Sequence, residues 1–86
     1  MQSEVENETC TRDAALVTAT MGGDEHAFAE LYRRHAGAVH TVLRDHVDDA
    51  ERRHEIAQEV FVRAWTRIES LQNADRFRPW LFQIAR

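Results

Sequence analysis

The sequence predicts an all-α fold, a compact bundle of about four helices, and three observations predict it. Apolar residues recur at helical spacing in four stretches, and an aspartate suited to N-capping stands at the head of each. Nowhere do apolar and polar residues alternate with the period of two that a half-buried strand requires. At 86 residues the chain makes one small domain, of a size that buries only about 60% of its unfolded surface.

Residues 1–12 are acidic and polar and lack a period, so a disordered tail is expected there, with the domain spanning 13–86. A short helix is predicted over Asp13 to Met21, with Asp13 as N-cap and Leu16, Val17 and Thr20 facing inward. Gly22 and Gly23 end it, because glycine accepts the left-handed conformation of a helix C-cap. Asp24 caps a second helix whose stripe runs through Ala27, Phe28, Leu31, Tyr32, His35, Val39, Val42, Leu43 and His46. Gly37 within it costs about 1 kcal/mol relative to alanine.

Asp48 or Asp49 caps the third helix, predicted to reach Leu71. Its apolar face, Ile56, Ala57, Val60, Phe61, Ala64, Trp65, Ile68 and Leu71, is wide enough to make it the central helix. Gln72 to Ala74 form a loop, Asp75 is the expected cap of the fourth helix, and Phe77, Trp80, Leu81 and Ile84 mark that helix's buried side. Pro79 fits its first turn, where backbone amides lack helical acceptors anyway.

Composition excludes several functions. No apolar run approaches the roughly 18 residues of a membrane span, and the N-terminus lacks the basic start and apolar stretch of a secretory signal, so a cytoplasmic protein with no membrane partner is expected. Cys10 is the single cysteine, which leaves neither an internal disulfide nor a thiolate zinc cluster. His54-Glu55-Ile56-Ala57-Gln58 begins like a zincin helix, but Gln58 stands where the second histidine must be. The five histidines include no pair four residues apart, and His35 and His46 read as satisfied interior or boundary residues. With no glycine-rich phosphate loop and no nucleophile setting, neither catalysis, nor a metal, nor a cofactor is expected.

Charge is divided unevenly along the chain. The net charge is -4, yet residues 1–50 hold ten acids against four arginines while residues 51–86 hold five acids against seven. Every basic side chain is arginine, a residue suited to bidentate phosphate contacts, although genome composition accounts for the same choice.

Two surfaces follow from the spacing. Glu55, Gln58, Glu59 and Val62 fall on one outer face of the third helix, with Glu59 and Arg63 spaced to pair. That face is either ordinary solvated surface or a protein contact, and Val62 adds the apolar component that a contact uses. The second surface is the loop and fourth helix, where Gln72, Asn73, Arg76, Arg78, Gln83 and Arg86 are interleaved with Phe77 and Trp80. Cations beside aromatic rings suit single-stranded nucleic acid, but helical spacing assigns Phe77 and Trp80 to the core and leaves the arginines and amides for outward contacts.

Three blocks carry a family resemblance: Asp24-Glu-His-Ala-Phe28-Ala-Glu-Leu31-Tyr32-Arg-Arg, Glu55-Ile-Ala-Gln58-Glu59-Val-Phe61-Val-Arg-Ala64-Trp65, and Phe77-Arg-Pro-Trp80-Leu81-Phe-Gln-Ile84-Ala85-Arg86. In this order and separation, over residues 13–86, they resemble region 2 of extracytoplasmic-function (ECF) sigma factors of bacterial RNA polymerase. The resemblance implies a promoter-recognition domain. Its third helix would dock on the clamp helices of the core polymerase β′ subunit through Glu55, Gln58, Glu59 and Val62. Residues 71–76 would capture a flipped base from the non-template single strand of the promoter −10 element. Arg63, Arg76, Arg78 and Arg86 would then meet phosphates, and Gln72, Asn73 and Gln83 base edges or backbone.

The match departs from the family pattern at Glu55, where Asp is more usual, at Arg53-His54 in place of Ala-Glu, and at Leu71, where Phe is frequent. The resemblance also implies that the chain stops before its last helix is complete and lacks the helical domain that reads the −35 element. Such a piece is expected to be monomeric and to bind promoter DNA weakly alone. Two alternatives stand beside this reading. One is a helical interaction module serving mainly as the target of an anti-sigma factor, and the other is a metal-dependent enzyme using the histidines.

Overall fold

The computed structural model describes residues 2–86, with side chains from Arg12 onward. Four α-helices follow in order: α1 (Gln2–Met21), α2 (Glu25–Arg44), α3 (Ala50–Arg67) and α4 (Phe77–Ala85). Two 3-10 turns, Ile68–Ser70 and Ala74–Arg76, lie between α3 and α4, and the described residues contain no strand. The all-α bundle is therefore the fold. Among the described residues no helix is long and apolar enough to cross a membrane.

The helix α1 begins well before the predicted start at Asp13. From residue 2 to 21 there is neither Gly nor Pro to interrupt it. The expected tail over 1–12 falls almost wholly on side chains outside the described residues. Asp13, predicted as an N-cap, instead sits inside α1 and is buried against α2. The end of α1 is as predicted and has a specific geometry. Gly23 takes φ 100°, its N–H donates to the Thr20 carbonyl at 2.9 Å, and the Asp24 N–H reaches back to the Ala19 carbonyl at 3.1 Å. These paired bonds close a Schellman motif, which needs a residue tolerant of the left-handed region at Gly23.

Asp24 caps α2 through Oδ1, which accepts from the amides of His26 and Ala27 at 3.0 and 3.2 Å. Ala27, Leu31, His35, Val39 and Leu43 then form its buried line, each four residues after the last. The helix stops at Arg44, so His46 lies in the following turn and is exposed rather than interior. Asp49 caps α3 by accepting from the Glu51 amide at 3.1 Å, and Arg53 ties the turn down by donating to the carbonyls of Val47 and Asp48 at 2.8 Å each.

It is α2 and not α3 that occupies the centre. The α2 helix packs against α1, α3 and α4, whereas the backbone of α3 closely approaches α2 and α4 but not α1 among the described residues. The flanks of the α3 stripe explain the difference: Ala57, Val60, Phe61 and Ala64 are buried, but Ile56 is half-buried and Trp65 is 40% exposed. The predicted last turn of α3 tightens into the 3-10 turn at Ile68, and Leu71 continues in extended backbone with its side chain still buried. Phe77, Leu81, Leu31, Val17 and Val39 are the largest fully enclosed side chains and mark where α1, α2 and α4 meet. Within this core Asp13, Thr20 and His35 are the buried polar residues, and no buried side-chain polar atom lacks a partner among the described residues.

Candidate functional site

Helical geometry gathers the first candidate surface. Glu55, Gln58, Glu59 and Val62 occupy positions i, i+3, i+4 and i+7 of α3, all exposed, and with Arg63 they line an open concavity of about 490 Å³. Val62 is 64% exposed, so an apolar side chain stands in water amid carboxylates and amides. The expected Glu59–Arg63 pair is not formed, and among the described residues neither Glu55 nor Glu59 has an ion-pair partner. The Gln58 amide nitrogen lies 3.2 Å from Nε2 of His54, whose ring stacks on that of His40 with centroids 6.1 Å apart. An amide nitrogen can only donate, so in this arrangement His54 Nε2 accepts.

Beside this face lies a groove that sequence reasoning missed. Phe28 and Tyr32 from α2 meet Phe61, Val62 and Trp65 from α3 around an open space of about 430 Å³. Phe28 packs edge-on to Trp65 at 4.9 Å, and Tyr32 edge-on to Phe61 at 4.7 Å. The signal available was the position of Trp65 at the margin of the α3 stripe, where an aromatic ring is buried on one side only.

The second surface forms where the chain turns from α3 into α4. Leu71, Gln72, Asn73, Arg76, Trp80 and Gln83 all line one cleft of about 470 Å³. Asn73 shapes it: Oδ1 accepts from the Asp75 amide at 3.0 Å, and the Asn73 carbonyl accepts from the Arg76 amide at 2.9 Å. Asn73, not Asp75, is therefore the capping residue here, and it starts the short turn that leads into α4. Trp80 divides its ring between core and cleft. One side packs near Phe77, with centroids 5.9 Å apart, and the half-exposed remainder faces the polar groups.

The remaining predicted residues lie elsewhere. Arg78 sits on the neighbouring strip of α4, its guanidinium 5.4 Å from the Phe82 ring centroid, and Arg86 is the exposed residue that ends α4. Arg63 belongs with the α3 face rather than with the cleft. The arrangement thus divides into a mixed acidic and apolar patch on α3 and a polar cleft with cationic and aromatic walls at the α3–α4 junction.

A family model for sigma-70 region 2 matches residues 31–86. The chain belongs to the sigma-70 region 2 family. The relatives place this region 2 domain in the ECF group. It is 33% identical over 72 residues to RNA polymerase sigma factor NccH of Alcaligenes xylosoxydans xylosoxydans, covering 84% of this chain and 39% of that protein. It is 34% identical over 73 residues to the ECF RNA polymerase sigma-E factor of Haemophilus influenzae, covering 85% and 38%. With ECF RNA polymerase sigma factor SigW of Bacillus subtilis the identity is 30% over 63 residues, covering 73% and 34%. The matched part of the chain thus spans less than half the length of each of these relatives. No solved structure matches the domain significantly.

Proposed function

We propose that this region 2 domain recognises promoters for bacterial RNA polymerase, docking on the β′ clamp helices of the core enzyme through α3 and reading the −10 element through the α3–α4 junction. The observation that carries the reading is the separation of the two surfaces. Glu55, Gln58, Glu59 and Val62 share one outward face, while the cleft of Gln72, Asn73, Arg76, Trp80 and Gln83 opens beyond the end of the same helix. One helix can then hold a protein partner while its far end meets DNA.

Each surface suits its assigned partner chemically. Two carboxylates and an amide around an exposed valine provide the polar rim and apolar centre of a protein contact. A cleft of about 470 Å³ walled by an indole, arginine and amides can receive an unstacked base, and Arg78 and Arg86 lie along α4 to meet the phosphates that follow. Extracting a base costs a few kcal/mol, which polymerase binding and a preformed cleft help to offset. Cytoplasmic action follows from this role.

Exchange of residues 71–76 for the corresponding segment of another ECF factor tests the cleft. The expected result is an altered base preference within the −10 element, and an unaltered preference would remove the reading role. A second reading, a target surface for an anti-sigma partner, is favoured by the open Phe28–Tyr32–Trp65 groove beside Gln58 and Val62. Co-purification with core polymerase supports the first reading; capture by a regulatory partner without polymerase supports the second.

A further inference from the structure

Two histidines that neither candidate surface uses meet across the bundle. His40 on α2 and His54 on α3 lie with their rings nearly parallel, 17° apart, and their centroids separated by 6.1 Å. His54 is exposed and His40 half-buried, so solvent reaches the pair. The turn joining the two helices is pinned by the Asp49 cap and by Arg53, which donates to the carbonyls of Val47 and Asp48. Those bonds hold the Arg53 guanidinium at the turn. Glu51 and Glu55, one turn before His54 and one residue after it, are exposed and have no ion-pair partner among the described residues, so the local field favours a cation.

The hydrogen bond to Gln58 makes His54 Nε2 the acceptor, so that nitrogen presents a lone pair, the form in which imidazole ligates a metal. Two imidazole nitrogens each about 2.1 Å from one ion put their ring centroids roughly 5 Å apart, so the rings need to approach by only about 1 Å. Rotation of the exposed His54 side chain supplies such a movement.

We propose that His40 and His54 form a two-histidine site for a divalent transition metal ion, of the zinc, nickel or copper kind that imidazole suits, bridging α2 and α3. Among the described residues no cluster of three histidine, cysteine or carboxylate ligands exists, so water completes the coordination and the site is open and reversible rather than structural. Helical spacing within one element gives no sign of it, because the two ligands come from different helices. An ion on His54 Nε2 takes the lone pair to which Gln58 donates and places positive charge beside Glu55. This consequence rests on the reading of α3 as the polymerase-docking face: a bound ion then weakens docking.

The test is isothermal titration of the sigma factor carrying this domain with Zn2+. Wild type should bind one ion at least about tenfold more tightly than either His40→Ala or His54→Ala, because the second bond of a chelate forms within the molecule. His46→Ala, exposed in the turn before α3, should bind as wild type does. A second readout is thermal: saturating Zn2+ should raise the Tm of wild type by several degrees and leave that of folded His54→Ala unmoved. Equal affinity in wild type and both variants, or an equal rise in Tm, overturns the site. Zn2+ should also lower the affinity of wild type for core polymerase more than that of His54→Ala. If the ion binds and the two respond alike, the link to docking is overturned. If Gln58→Ala with Glu59→Ala leaves core affinity intact, the docking reading falls by itself, and the titration still decides the site.

Discussion

Asp13 Oδ2 lies 2.9 Å from Nε2 of His35, across 22 positions of sequence, with both side chains almost wholly buried. The other carboxylate oxygen accepts from Arg34 Nε at 2.9 Å, and the His35 ring leans on Phe77 with centroids 5.5 Å apart. One polar cluster therefore fastens α1 to α2 and touches the first residue of α4, the helix that carries the nucleic-acid candidates.

Removing the carboxylate should cost far more than a surface charge. Asp13→Ala strands a buried imidazole and a largely buried guanidinium, a change of about 3–5 kcal/mol. By contrast the Glu30–Arg33 pair, 2.7 Å long but exposed, should lose under about 1 kcal/mol in Glu30→Ala. Urea midpoints of the two variants check the contrast, and near-equal midpoints would contradict it.

Two glycines should respond oppositely to alanine. Gly23 holds φ 100° in the cap of α1, where an L side chain is strained, so Gly23→Ala should destabilise by about 1 kcal/mol. Gly37 lies inside α2 with open space where a Cβ would stand, so Gly37→Ala should stabilise by up to about 1 kcal/mol. Thermal melting should show shifts of opposite sign, each of a few degrees.

The two aromatic residues that helical spacing treats alike should separate on truncation. Phe77 is fully enclosed, and Phe77→Ala should cost about 3–5 kcal/mol through the cavity it leaves. Trp65 is 40% exposed, and Trp65→Ala should cost distinctly less while stripping the groove between α2 and α3. Equal losses in denaturant midpoint would mean that the end of α3 packs against more than the bundle described.

What was legible from the sequence was local. Asp24 and Asp49 cap the helices they precede, and the four-residue beat from Ala27 to Leu43 marks a buried line, because both signals act within a few residues. Asp13 was misread for the same reason: a buried acid and an N-cap look alike until the partner 22 positions away is known. Trp65 falls on the α3 stripe, but which flank of a stripe is covered depends on the crossing of α2, which no single helix encodes. The α3 face was readable, since exposure of Glu55, Gln58, Glu59 and Val62 follows from their phase alone. The cleft was readable as composition, whereas the cap that turns the Asn73 amide arises from backbone geometry that residue types leave open.

The central claim is that the outer face of α3 holds core polymerase, and the affinity of the sigma factor carrying this domain for core enzyme tests it most directly. With Gln58→Ala and Glu59→Ala combined, both side chains being exposed and without a structural role in the core, folding should be preserved while binding weakens tenfold or more, about 1.4 kcal/mol. Unchanged affinity in a folded double variant would contradict the account.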